Sequence, residues 1–141
     1  MTRRTTSPVR KIAENLAMGG LIALSRGLST TLKVQDVVTL SERAGTALRW
    51  TSPLRQNDDT LIRSRHLAYR WSRFVPGANC LHRATATRVW LAAYRMESRV
   101  VLGFRKRNGL EGHAWLEVSL PEAVTLMFVS DDDGYEVALV R

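Results

Sequence analysis

An α+β fold, helices first and antiparallel strands last, follows from three features of the 141-residue sequence. Apolar residues recur at spacings of three and four along much of the first part, the period of one helical face. From Arg99 onward, Val- and Leu-rich runs and alternating segments replace that period. The two regimes are segregated along the chain rather than interleaved, which sets α+β apart from a parallel α/β arrangement.

Ser7 before Pro8 reads as an N-cap with proline in the first helical turn, so a first helix starts there. Val9, Ile12, Leu16, Gly20 and Leu24 define its expected inner face, with Arg10, Glu14 and Arg26 mostly elsewhere. Gly19 and Gly20 weaken the helix locally. A second helix is expected from about Gln35 to Arg49, and Thr51 to Asp58 reads as a loop. Asp59 to Phe74 forms a third, with Leu61, Ile62, Ala68 and Trp71 inward, and Pro76-Gly77 stops it. Cys80 to Tyr94 has helical spacing through Cys80, Ala84, Thr87 and Leu91, directly after a Pro-Gly-Ala-Asn loop. Arg99 to Phe104 reads as a strand, Arg107-Asn108-Gly109 as a turn, and His113 to Val118 as an alternating strand. Ala123 to Val129 and Tyr135 to Val140 complete the strands.

The length suits one compact domain, 1–141, made of a basic helical part (1–75) and a part carrying the Cys80 helix and the strands (76–141). Charge separates the two. Residues 1–75 hold 13 Lys and Arg against 5 Asp and Glu, while 76–141 hold 8 against 8, so the net +8 lies in the first half. Such a half suits an acidic partner: nucleic acid, an anionic surface or an acidic peptide. No run of about 18 apolar residues exists and the basic start lacks an apolar signal segment, so no membrane association is expected and the protein is placed in the cytoplasm. A single Cys agrees with that compartment.

A lone helical Cys is most often a small buried hydrophobe. Cys80, however, opens a helix, where the dipole and unpaired N–H groups favour a thiolate and could line an oxyanion hole. His113 is the candidate base: His113, Trp115 and Glu117 share one strand face, and Ala114, Leu116 and Val118 share the other, which reads as core. Trp115 is sized to pack beside the imidazole and exclude water. A third group should hold the ring, normally a carboxylate or amide. If Ser119 to Glu122 is the turn, the facing strand brings positions near 128 to 131 beside His113. Asp131 is the nearest carboxylate there, with Asp132 and Glu117 as alternatives, although Asp131-Asp132-Asp133-Gly134 also reads as an ordinary solvated turn. His82 lies two residues from Cys80 on a helix and points away from it, so no metal site is expected. Arg83 and His66 read as structural or surface residues, and Trp50, Trp71 and Trp90 as core or partner surface.

Cys80-Leu81-His82-Arg83-Ala84 and Gly112-His113-Ala114-Trp115-Leu116-Glu117-Val118 resemble the Cys-helix start and the His strand of the leader-removing proteases of lasso-peptide biosynthesis. The resemblance covers roughly Asn79 to Val118, including the strand and the Arg105-Lys106-Arg107 loop between the motifs. It implies a transglutaminase-like, papain-like fold and a Cys80 and His113 pair that cleaves leader from core in a ribosomally made precursor peptide. It further implies a separate leader-recognition protein, since 1–75 is short and reads as helices and not as a winged-helix module with its own strands, and a downstream cyclase resembling asparagine synthetase. The chain departs from the family's pattern at Ser119-Leu120-Pro121-Glu122 and Thr125, where a tight Asp-Gly turn and an acidic residue are usual. The resemblance therefore does not supply the third group. Competing readings are an acyl transferase with the same site, and a basic nucleic-acid-binding or scaffold protein. The nucleic-acid reading lacks a recognisable reading motif.

Overall fold

Ser7 accepts the Arg10 N–H at 3.2 Å and Pro8 occupies the first helical position, which starts α1 (Pro8–Leu28) as expected. The computed structural model describes residues 7–54, 56, 59–129 and 133–140. Three further helices follow: α2 (Val34–Thr51), α3 (Thr60–Phe74) and α4 (Cys80–Ala93). The second is longer than expected at its end, because Thr51 continues the helix before Ser52 turns extended. At the end of α3, Gly77 takes a φ of 77°, which suits glycine and turns the chain toward α4.

The orientation of α1 reverses the expectation. Val9, Ile12, Leu16 and Leu24 are exposed, Leu16 at 62%, whereas Glu14, Met18, Gly19, Ile22 and Ser25 are buried. Partners of high specificity explain the choice of face. The Trp71 ring lies where a Gly19 Cβ would come within 2.7 Å of it, and its Nε1–H donates to Asn15 Oδ1 at 2.7 Å. The buried Glu14 carboxylate pairs with Arg10 and Arg63 at 3.1 and 3.3 Å and accepts the Tyr94 hydroxyl. A buried charge is tolerable only when paired and hydrogen-bonded, and here three groups from α1, α3 and the end of α4 do so. The same packing corrects α3, where Ala68 is buried and Leu61 and Trp71 are half-buried as expected, but Ile62 is exposed. Trp90 is core, while Trp50 is 79% exposed.

The strands are β1 (Glu97–Lys106), β2 (Leu110–Ser119), β3 (Val124–Met127) and β4 (Glu136–Val140). They form one antiparallel sheet in the order β3-β2-β1-β4, so the chain between β3 and β4 passes from one edge of the sheet to the other. A tight hairpin joins β1 to β2 through Asn108 and Gly109, both at positive φ. One core unites the layers: Met18 and Ile22 of α1, Val38 of α2 and Ala68 of α3 join Ala84, Trp90 and Leu91 of α4 and Val100, Leu116 and Val118 of the sheet. Helix α4 is central, packing on the other three helices and on β1 and β2.

Candidate active site

The start of α4 is fixed by a reciprocal cap. Asn79 Oδ1 accepts the Leu81 N–H at 3.1 Å, and the Asn79 N–H donates to His82 Nδ1 at 2.9 Å. Because Nδ1 accepts, the proton of the neutral ring lies on Nε2, which donates to Ser29 Oγ at 2.9 Å. Burial, and then the charge of Arg26, lowers the His82 pKa below its ordinary value. His82 thus serves the cap, and no group of three His, Cys, Asp or Glu suited to a metal exists among the described residues. Cys80 is the first residue of the capped helix and is half-buried against the core. Asn79 engages the N–H groups that follow it, while the Cys80 N–H makes no hydrogen bond among the described residues.

His113 lies on β2 opposite Gly103 of β1. The absence of a side chain at Gly103 is required there, since a Cβ would come within 2.5 Å of the Trp115 ring and 2.7 Å of the Glu136 carbonyl. Trp115 is buried and stacks beside His113 with ring centroids 6.1 Å apart. Tyr135, from the segment that returns to β4, stacks on His113 at 5.0 Å and in turn carries the Arg105 guanidinium at 4.5 Å. The imidazole therefore belongs to a three-ring cluster, since Trp115 and Tyr135 are themselves 6.0 Å apart. Its Nε2 lies 2.6 Å from the backbone carbonyl of Phe128. A carbonyl only accepts, so the proton is on Nε2 and Nδ1 keeps a lone pair in the neutral ring.

Phe128 also connects this ring to α4. Its side chain is buried, packs edge-on to Tyr69 at 5.4 Å, and lies 6.0 Å from the Arg83 guanidinium. Arg83 stands one turn after Cys80 and is held over Tyr69 at 5.0 Å. Beside the aromatic stack, a surface groove of about 770 Å³ is lined by Phe104, Arg105, Lys106, Arg107, Leu110 and Glu136, among others.

Of the other acidic candidates, Asp131 and Asp132 lie outside the described residues. Glu117 is engaged by Arg99, its cross-strand neighbour, at 2.7 Å. Three residues that shape the surroundings of His113 were not singled out in the sequence. Gly103 carried a signal, an isolated glycine inside a strand, which marks a close approach. Phe128 fell inside the window beside His113, but a search for carboxylates passes over a backbone oxygen. Tyr135 carried no local signal.

The family model of the Transglutaminase-like superfamily matches residues 23–139. The chain belongs to this superfamily, and the four helices and four-stranded antiparallel sheet among the described residues form a transglutaminase-like α+β domain. No curated protein and no solved structure matches the chain.

Proposed function

We propose, from membership of a superfamily rich in cysteine peptidases and acyltransferases, that this chain is a cysteine peptidase that removes the leader from a ribosomally made lasso precursor peptide. The observation that carries the reading is the contact path from the first turn of α4 through Arg83 and Phe128 to His113 Nε2. It runs from the helix that Cys80 opens to the imidazole on β2, and among the described residues no hydrogen bond joins Cys80 to His113 itself.

In the proposed reaction the Cys80 thiolate attacks the carbonyl at the end of the leader, and the Cys80 N–H is available to the developing oxyanion. Imidazolium His113 gives a proton to the leaving amine, the C–N bond breaks, and an acyl enzyme remains. Water, deprotonated by His113, then hydrolyses the thioester, releasing the carboxyl product and restoring the thiolate and the imidazolium. Trp115 and Tyr135 limit access of bulk water to the ring. The groove carries both signs of charge, with Asp133 and Glu136 beside its cations and Arg105 paired to Glu111 at 2.7 Å, so acidic side chains of a peptide would meet chiefly Lys106 and Arg107.

The leader reaches the site with the help of a separate recognition protein, and the released core passes to a cyclase resembling asparagine synthetase. The basic helical half offers a surface for an acidic leader or for that partner. Incubation of purified protein with precursor and recognition protein tests the function. Cleavage should require Cys80, and undiminished processing by Cys80→Ala protein would end the proposal. Product masses distinguish hydrolysis from transfer of the acyl group to an amine, the second chemistry this superfamily supports.

A further inference from the structure

The geometry points to the backbone carbonyl of Phe128, and not to a carboxylate, as the group that orients His113. This rests on the reading of His113 as the partner of Cys80. An imidazole has two nitrogens. One, Nε2, directs its proton at the Phe128 oxygen at 2.6 Å. If the ring also serves the thiolate, it must do so through Nδ1, and no nitrogen is left for Asp131, Asp132 or Glu117. A carboxylate could take that role only by displacing the carbonyl.

The carbonyl is positioned by local structure that departs from the sheet. Pairing between β3 and β2 ends at Met127 opposite Leu116, and the next residue, Phe128, has a φ of 70°. Few side chains adopt this left-handed region without being held there. Phe128 is held: its ring is buried against the edge of Tyr69, near the Arg83 guanidinium. The anchored ring fixes the reversed backbone, and its oxygen meets the imidazole. Phe128 is therefore a positioning residue that acts through its main chain.

A neutral acceptor has consequences that a carboxylate does not. It fixes the tautomer with Nε2 protonated and Nδ1 free, and it does not itself titrate. Long-range ¹H–¹⁵N spectra of the full chain, labelled at histidine and recorded at neutral pH, read the tautomer directly. His113 should show the Nε2–H form in the native protein and in Asp131→Asn and Asp132→Asn proteins alike. In Phe128→Ala protein the ring should become a mixture of tautomers, and kcat for precursor cleavage should fall about tenfold or more with little change in KM. Should Phe128→Ala not fold, Phe128→Leu, which keeps the burial but loses the aromatic edge contact, should show the same change in smaller measure. An Nδ1–H ring in the native protein, or a tautomer scrambled by Asp131→Asn, overturns the assignment. The spectra do not depend on turnover. Failure of the peptidase reading, seen as cleavage without Cys80, is therefore distinct from failure of this one.

Discussion

Around His113, a single hydrogen at Gly103 decides how the aromatic groups can sit. An alanine Cβ there would meet the Trp115 ring at 2.5 Å and the Glu136 carbonyl at 2.7 Å, and the second of these is backbone that cannot swing aside. Both the indole beside His113 and the pairing of β4 must shift, where the register already slips between Leu102 and Gly103. Overpacking of this kind costs about 1 to 3 kcal/mol. Gly103→Ala protein should lose stability by about that amount in urea titration and show altered near-ultraviolet circular dichroism from Trp115 and Tyr135. Unchanged stability and spectra would mean that the contact at Gly103 is not close. The helix that Cys80 opens and the strand that holds His113 were legible because periodicity and breakers are written in residue type. The oxygen on His113 Nε2 belongs to a main chain whose direction depends on a left-handed Phe128, and residue type does not announce that.

Helix α4 and helix α1 each make a prediction that belongs to the element. In α4 the cap depends on a neutral His82, whose Nδ1 accepts from Asn79 and whose pKa is lowered by burial and by Arg26. The unfolded chain takes up the proton near pH 6.5, while the folded chain does so only at lower pH, so between these values the unfolded state binds more protons. Stability supplied by this residue is intact above the unfolded value and is lost as pH falls from about 6.5 toward the folded one. Glutamine at this capping-box position can still accept from Asn79 and does not titrate. Between pH 7.5 and 5, His82→Gln protein should therefore lose less stability than the native protein, and equal losses would remove His82 from the pH dependence. In α1 the outward face predicts that Leu16→Ser changes stability by no more than about 0.5 kcal/mol. Ile22→Ala, at a fully buried position, should cost about 2 to 5 kcal/mol. Denaturant midpoints of the two variants test this, and a larger loss at Leu16 would place that face inside. The helix itself was legible from Ser7, Pro8 and the apolar period. Its facing was not, because the period that ran through Leu16 was outbid by Trp71 on Gly19 and by the Glu14, Arg63 and Tyr94 contacts, all of which depend on residues distant in sequence.

Across the whole molecule, the order of helices before strands was legible, and the strand order β3-β2-β1-β4 was not. Hairpin signals join neighbours in sequence, whereas β4 crosses to the far edge beside β1 and carries Tyr135 onto His113 on the way. Charge is likewise a property of the whole: the surplus of cations lies in residues 1–75, and the packing separates those on α1 and α3 into two groups. Arg10 and Arg63 are committed to buried Glu14, so reversing either charge would unfold the contact and not report on binding. Arg65 and Arg70 are exposed on α3. If the helical half receives an acidic leader, replacing both with glutamate should raise KM for leader-bearing precursor and leave kcat close to native. Exposed ion pairs contribute about 0.2 to 1 kcal/mol each, so a rise of about three- to tenfold is expected at low salt. In about 1 M salt, where screening acts within roughly 3 Å, the native and variant KM values should converge. Equal KM values at low salt, with the variant folded as judged by its denaturant midpoint, would move leader binding away from α3 and leave the Arg105-Lys106-Arg107 edge of the groove as the cationic surface to test next.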